Sequence, residues 1–139
     1  MIVADTSALI ALIDADDRHY AELRELYESD PDPWVVPWAV LPEVDYLLAA
    51  HVGVKAELAF VRDVADGRWA VEWGDAADLV RARELCEGHR GLRLGLVDGV
   101  VMAMAERLDA QAIATLDLRH FGAVKLRTAA ALYPRDLTP

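Results

Sequence analysis

The N-terminal stretch Ile2-Val3-Ala4-Asp5-Thr6-Ser7-Ala8-Leu9 decides the fold. A short apolar run that ends at an acid is typical of a buried strand, and Ser7 is then expected to cap a helix through Ile13. Further strands are predicted at 34–37, 69–73 and 112–116, with a weaker fifth within 124–132, and helices at 17–28, 39–51, 54–64, 75–86 and 98–108. This alternation favours an α/β fold with a central parallel sheet of four to five strands and helices on both faces.

Composition narrows the class of protein. The chain has 139 residues and 24 acidic against 14 basic side chains, which gives a net charge of −10. The length fits a single domain, 1–139, and the 55% apolar fraction excludes a disordered chain. The one cysteine, Cys86, excludes an internal disulfide framework, and no apolar run approaches the ~20 residues of a membrane span. We expect a cytoplasmic protein with no membrane contact, whose acidity at first sight disfavours nucleic acid.

Two acids follow predicted strands at the point where each strand ends. Asp5 comes directly after the first strand, and Asp117 comes just after the fourth. Parallel sheets bind ligands beyond the carboxyl ends of their strands, near a switch in strand order. The two carboxylates converge if these strands are neighbours there. Each acid taken alone fits equally well as a turn or capping residue.

Two further acids lie beside apolar helix positions. Asp98 shares a helix face with Met102 and Ala105, and Glu43 borders the apolar stripe of its own helix. Asp45, two positions on, is expected to point to the other side and to be solvated. Both Glu43 and Asp98 also fit as ordinary first-turn acids, which the positive end of the helix dipole tolerates.

Four features stand in an order and spacing that is fairly specific when they are taken together: Val3-Ala4-Asp5-Thr6-Ser7-Ala8-Leu9, Glu43 in an apolar helix, Val97-Asp98-Gly99-Val100-Val101-Met102-Ala103-Met104-Ala105, and Ala114-Thr115-Leu116-Asp117-Leu118-Arg119-His120-Phe121. In this combination the chain resembles the PIN domain, and more narrowly the VapC-type toxins of bacterial type II toxin–antitoxin modules. The resemblance covers essentially the whole chain. Two points depart from the usual pattern: Gly99 follows Asp98, where it is expected to loosen the helix start, and no clear strand signal follows Phe121.

The resemblance implies a three-layer α/β sandwich and a metal-dependent endoribonuclease that leaves a 5′-phosphate and a 3′-hydroxyl. It also implies a VapB-type antitoxin partner, a homodimer, and an RNA substrate of the tRNA or rRNA class. By position, the family's acidic quartet falls on Asp5, Glu43, Asp98 and Asp117, and its small hydroxyl residues fall on Ser7 and Thr115. The implied cofactor is Mg²⁺ or Mn²⁺.

Clustered carboxylates need a cation for stability as well as for chemistry. Two like charges 4 Å apart cost about 4 kcal/mol at an effective dielectric near 20. A divalent ion that takes oxygen ligands relieves this repulsion and activates water against phosphorus. We expect Asp5, Asp98 and Asp117 to bind the ion directly, with Ser7 and Thr115 supporting them. Glu43 either binds a second ion or orients the attacking water.

Basic residues near the predicted strand ends offer a local binding surface for RNA in a chain whose net charge is negative. Arg90 and Arg93 precede Asp98, while Arg119 and Lys125 follow Asp117. They are predicted to form an RNA-binding rim around the acids, although each fits equally as an ordinary solvated residue.

Three alternatives remain open at this point. His120 is a competing general base, but it fits better as an ordinary surface-loop histidine. The chain is alternatively a PIN-like module that binds RNA or protein without cleavage, or an α/β phosphoacceptor or phosphatase domain. Against the last reading, Ser7 stands where haloacid-dehalogenase-like hydrolases need a second aspartate.

Overall fold

A computed structural model describes residues 1–29 and 33–137, in which five short parallel strands form one sheet. The order across the sheet is β3-β2-β1-β4-β5. The strands are β1 (Ile2–Ala4), β2 (Trp34–Pro37), β3 (Ala70–Glu72), β4 (Ala112–Ala114) and β5 (Ala131–Tyr133). Every residue of β1 and β4 is buried, which explains their continuous apolar sequences.

Seven α-helices connect the strands. They are α1 (Thr6–Ile13), α2 (Tyr20–Ser29), α3 (Leu41–His51), α4 (Val54–Ala65), α5 (Ala76–Gly88), α6 (Leu96–Arg107) and α7 (Leu118–Phe121), with short 3-10 turns at Trp38–Val40 and Arg90–Leu92. Strands β2 and β3 are added in turn on one side of β1, and the chain then crosses the sheet to add β4 and β5 on the other side of β1. Right-handed crossovers therefore place α1 to α4 on one face and α5 to α7 on the other, as the predicted sandwich requires. Within 1–29 and 33–137, no helix has the length and apolarity needed to cross a membrane.

The switch in strand order lies between β1 and β4. These two strands pair in parallel register, with Val3 opposite Ile113 and Ala4 opposite Ala114. Directly after the paired residues of β1, the Asp5 amide donates a hydrogen bond of 2.9 Å to the Ala114 carbonyl. The residues that follow β1 and β4 therefore meet at one edge of the sheet, which is where ligands bind in such folds.

Most predicted elements are confirmed, and the errors lie at helix starts. The fifth strand forms at the end of its predicted window. The first helix begins at Thr6 with Asp5 in the N-cap position, so the prediction that Ser7 caps it is wrong. The second helix begins at Tyr20, because Asp17 accepts a hydrogen bond of 2.8 Å from the His19 amide and closes a turn first. Helix α7 was not predicted.

Gly99 does not loosen α6, contrary to expectation. It is buried against α5, and a Cβ atom there would lie 3.0 Å from the Cβ of Ala82. The glycine therefore allows α5 and α6 to approach closely, and this contact fixes the start of the helix that holds Asp98.

Candidate metal centre

Asp5 is held at the end of β1 by two hydroxyl groups. Its side chain is buried, with 4% of the residue exposed. Thr115 Oγ1 donates a hydrogen bond of 2.9 Å to Asp5 Oδ2, and Ser7 Oγ donates one of 3.0 Å to the same oxygen. Both hydroxyl residues predicted to support the acids thus contact Asp5, and its other carboxylate oxygen accepts no side-chain hydrogen bond from the described residues.

The same hydroxyls shape the loop after β4. The Leu116 amide donates to Ser7 Oγ at 2.9 Å, and the Asp117 amide donates to Thr115 Oγ1 at 3.0 Å. Each hydroxyl therefore accepts from the loop backbone while it donates to Asp5. This arrangement fixes the loop relative to Asp5 and sets the position of Asp117.

Burial controls the protonation of Asp5. The pKa of Asp5 is raised from 3.8 to about 6, mainly because burial removes water from the carboxylate and, to a smaller extent, because the charge of Asp98 is nearby. The hydrogen bonds from Thr115, Ser7 and the Thr6 amide act in the opposite direction and only partly offset the burial. A cation beside Asp5 would restore the charged form.

Asp98, Asp117 and His120 form the tightest group of potential ligands. One donor atom from each lies within 4.8 Å of the others. His120 Nδ1 is 2.7 Å from Asp98 Oδ2 and 3.2 Å from Asp117 Oδ2. Burial raises the pKa of Asp98, the His120 contact lowers it, and the charges of Asp117 and Glu43 raise it. These carboxylates therefore repel one another in the absence of a cation.

Glu43 and Asp5 border this group without belonging to it. Glu43 is an exposed first-turn residue of α3, and its charge raises the pKa of Asp98, so it lies near the same site. Asp45 is half-buried rather than solvated. It lies beside Glu57 of α4. The pKa of Glu57 is raised first by the loss of water around its carboxyl and then by the charge and hydrogen bond of Asp45. Asp45 remains a suitable control because its carboxylate neighbour is outside the site.

The interpretation of His120 as an ordinary surface-loop histidine is wrong. It is not an ordinary surface-loop residue, since only 20% of its side chain is exposed and its ring contacts two of the predicted acids. The Asp117 side chain caps α7 by accepting from the His120 amide at 3.2 Å, and this turn brings the ring back over the acids. The signal in the sequence was a histidine three positions after a strand-end aspartate.

The predicted basic residues are all exposed, but they fall in two places. Arg90 and Arg93 lie in the turn that leads into α6, and Arg119 lies in α7 beside Asp117. Within 1–29 and 33–137, none of these three forms a salt bridge. Lys125 instead lines a cavity of about 460 Å³ whose walls include none of the four acids.

A second groove beside Thr115 was not predicted, and its lining includes none of the four acids. It has a volume of about 540 Å³, and Thr115 and Leu116 form one wall. Arg18, His19 and Arg135 supply basic or titratable groups around it.

The donor set fits a divalent cation. Donor atoms of two carboxylates and an imidazole lie within 4.8 Å of one another, and Asp5 and Glu43 add negative charge nearby. Mg²⁺ and Mn²⁺ bind oxygen ligands and use only one or two protein carboxylates, with water in the remaining positions. Burial is the main cause of the raised pKa values of Asp5 and Asp98, and a cation at this site would favour the charged form of both carboxyls.

Comparisons with known proteins identify the family of the chain. The PIN domain family matches residues 2–126. Ribonuclease VapC26 of Mycobacterium tuberculosis is 38% identical over 124 residues, which cover 89% of this chain and 92% of that protein. The chain belongs to the PIN-domain family and, within it, to the VapC proteins.

Solved structures share the fold at lower sequence identity. The Mycobacterium tuberculosis toxin VapC20, described as cleaving the sarcin–ricin loop, superposes with a TM-score of 0.79 at 24% identity, covering 88% of this chain and 95% of that one. VapBC2 of Rickettsia felis, bound to a fragment of its promoter DNA, gives 0.69 at 18% identity with 95% and 97% covered. FitAcB of Neisseria gonorrhoeae gives 0.68 at 18% identity with 99% and 100% covered.

Proposed function

We propose that this chain is a Mg²⁺- or Mn²⁺-dependent endoribonuclease that acts as the toxin of a VapBC-type pair. The observation that supports it most strongly is the convergence of Asp98 and Asp117 beside the buried Asp5, in a chain of the PIN-domain family. The ribonuclease name of its 38% identical relative gives the substrate class.

The proposed roles follow from the position of each side chain. Asp98, Asp117 and the Asp5 carboxylate oxygen that the two hydroxyls do not contact hold the ion, and Ser7 and Thr115 keep Asp5 oriented. Glu43, which is exposed and lies near Asp98, either orients the attacking water or helps to hold a second ion. A bound divalent ion lowers the pKa of water and stabilises the leaving oxygen, so no separate lysine or histidine base is required. The products are a 5′-phosphate and a 3′-hydroxyl.

RNA binding has a structural basis despite the net charge of −10. The exposed Arg90 and Arg93 precede α6, which holds Asp98, and the exposed Arg119 lies in α7 next to His120. Arg18 adds positive charge to the groove beside Thr115. Lys125 is the weakest member of the predicted rim because it lines a different cavity. We propose a tRNA or rRNA substrate, for which the sarcin–ricin loop activity of the VapC20 neighbour gives support.

The proposed partners are an antitoxin and a second copy of the chain. The structural match to VapBC2 supports a VapB-type antitoxin. An acidic toxin surface would attract a basic antitoxin segment, which would compete with RNA. We place the pair in the cytoplasm, where the free thiol of Cys86 stays reduced.

Cleavage of RNA by the purified protein tests the function. Total RNA is incubated with Mg²⁺ or Mn²⁺ and the ends are mapped, with EDTA, Asp98→Asn and Asp45→Asn as controls. We expect cuts with 5′-phosphate ends that disappear with EDTA and with Asp98→Asn and persist with Asp45→Asn. Full cleavage by Asp98→Asn would refute the site, and an inert, metal-loaded protein that still binds RNA would favour a non-cleaving module.

A further inference from the structure

His120 occupies a position that the acidic quartet does not account for. Its ring stands over the carboxylates of Asp98 and Asp117, and it is less exposed than the Asp117 side chain, at 20% against 35%. The position is built by α7, whose four residues begin at the Asp117 cap. The geometry therefore requires an explanation beyond a chance surface contact.

The spacing of the three donor atoms suits a single ion. Ligands of an octahedral ion with bonds of about 2.0–2.1 Å stand about 2.9 Å apart along each edge of the octahedron. His120 Nδ1 stands 2.7 Å from Asp98 Oδ2 and 3.2 Å from Asp117 Oδ2, on either side of that value. The imidazole nitrogen is thus spaced to share one ion with either carboxylate oxygen, and all three donor atoms lie within 4.8 Å of one another.

We propose that His120 binds the metal ion directly through Nδ1 and makes this site select Mn²⁺ over Mg²⁺. The inference rests on the proposed function for the metal centre itself and adds a nitrogen ligand to its oxygen ligands. Mg²⁺ is a hard ion that binds carboxylate and water oxygens, whereas an imidazole nitrogen suits first-row transition ions. Binding requires the neutral ring, with its hydrogen on Nε2.

The alternative is that His120 only places a positive group between two carboxylates while no ion is bound. In that case an ion would displace the ring, and removal of the ring would tighten Mg²⁺ and Mn²⁺ by a similar factor. The two roles therefore predict different changes in the ratio of the two affinities, and this ratio is what the experiment measures.

Metal binding is measured without RNA by calorimetry with Mn²⁺ alone and with Mg²⁺ alone. We expect His120→Ala to weaken Mn²⁺ binding by at least about tenfold and to leave Mg²⁺ binding within about twofold. His120→Asn, which offers an oxygen ligand instead, should shift the preference toward Mg²⁺. His51→Ala, at an exposed histidine at the end of α3, is the matched control and should change neither affinity.

Pulsed electron paramagnetic resonance of the Mn²⁺-loaded protein gives a direct readout. We expect coupling to a directly bound nitrogen nucleus in the wild type and in His51→Ala, and its loss in His120→Asn with the fold intact by circular dichroism. No nitrogen coupling, or an equal change in both affinities, would overturn the inference. Nitrogen coupling without RNA cleavage would support His120 as a metal ligand and contradict the proposed ribonuclease function. Metal-dependent cleavage without nitrogen coupling would support the ribonuclease function and contradict His120 as a ligand.

Discussion

The Thr115 hydroxyl donates a hydrogen bond of 2.9 Å to Asp5 Oδ2, although the two residues are 110 positions apart in the chain. The bond joins the ends of β1 and β4, the neighbouring strands at the switch in strand order. It links the folding of the central sheet to the orientation of the most buried acid in the site. The pH response of the protein is a consequence of this link.

Asp5 should make the metal-free protein less stable as the pH rises. Its pKa is about 6 in the folded state and 3.8 as the ordinary value, so the folded state binds the proton more tightly. This contribution is fully present below about pH 4 and is lost as the pH rises through 6, by about 3 kcal/mol in total. Urea unfolding in EDTA should therefore show wild type losing stability relative to Asp5→Asn between pH 4 and 7.

The control for this titration is Asp66→Asn, at an exposed position after α4. It should follow the wild-type curve. Parallel pH curves for wild type and Asp5→Asn would mean that Asp5 is not desolvated as described.

Asp78 should matter for stability although it is remote from the proposed chemistry. It is buried, accepts bonds of 2.8 and 3.0 Å from Arg107, and completes the capping box of α5. Asp78→Ala leaves the Arg107 guanidinium without its main partner and should lower the free energy of unfolding by about 3–5 kcal/mol. Glu28→Ala, which breaks the exposed Arg24–Glu28 pair, should cost less than about 0.5 kcal/mol. Similar losses for the two variants would contradict this description.

Gly74 should be intolerant of a side chain. Its φ is +86°, and an added Cβ would lie 2.8 Å from Met104 Cε and 3.1 Å from Trp38 Nε1. We expect Gly74→Ala to destabilise the protein by about 3 kcal/mol, from backbone strain and overpacking together. Gly67 has a φ of +73°, and an added Cβ there would have no atom within 4 Å. Gly67→Ala therefore measures backbone strain alone and should lower the free energy of unfolding by about 1 kcal/mol. Equal melting temperatures for the two variants would contradict the packing argument.

The arginines beside the acids should set the salt dependence of RNA binding. Arg119 is exposed and lies two positions after Asp117. Arg119→Ala should weaken binding of a catalytically inactive Asp98→Asn protein to RNA and reduce the salt slope by about one phosphate contact. Lys125→Ala serves as the comparison, because Lys125 lines a separate cavity, and should have a smaller effect. A salt response that is flat for the parent protein would count against RNA as the substrate.

The sheet was predictable because its strands are short, largely apolar and separated by helical patterns. The continuous apolar runs 2–4 and 112–114 reflect burial on both faces, which a local pattern records directly. Helix starts were less predictable, because Ser7 and Asp17 make hydrogen bonds to partners other than the expected caps. The prediction that Gly99 loosens the start of its helix was wrong, because the role of Gly99 depends on its contact with Ala82 of another helix.

The site was predictable as a set of acids but not as a geometry. The strand-end rule and the family resemblance led to Asp5 and Asp117, and the predicted hydroxyls of Ser7 and Thr115 do contact Asp5. The spacing of His120 after Asp117 hinted at its place, but its contact with Asp98, 22 positions away, depends on the unpredicted α7, which turns the ring toward that carboxylate.

Crystals of the protein soaked with Mn²⁺, measured for anomalous scattering, test the central claim most directly. We expect one strong peak within bonding distance of carboxylate oxygens of Asp98 and Asp117, beside Asp5, and no such peak in Asp98→Asn crystals soaked in parallel. A Mn²⁺ peak elsewhere with these acids unbound, or an unchanged peak in Asp98→Asn, would contradict the account.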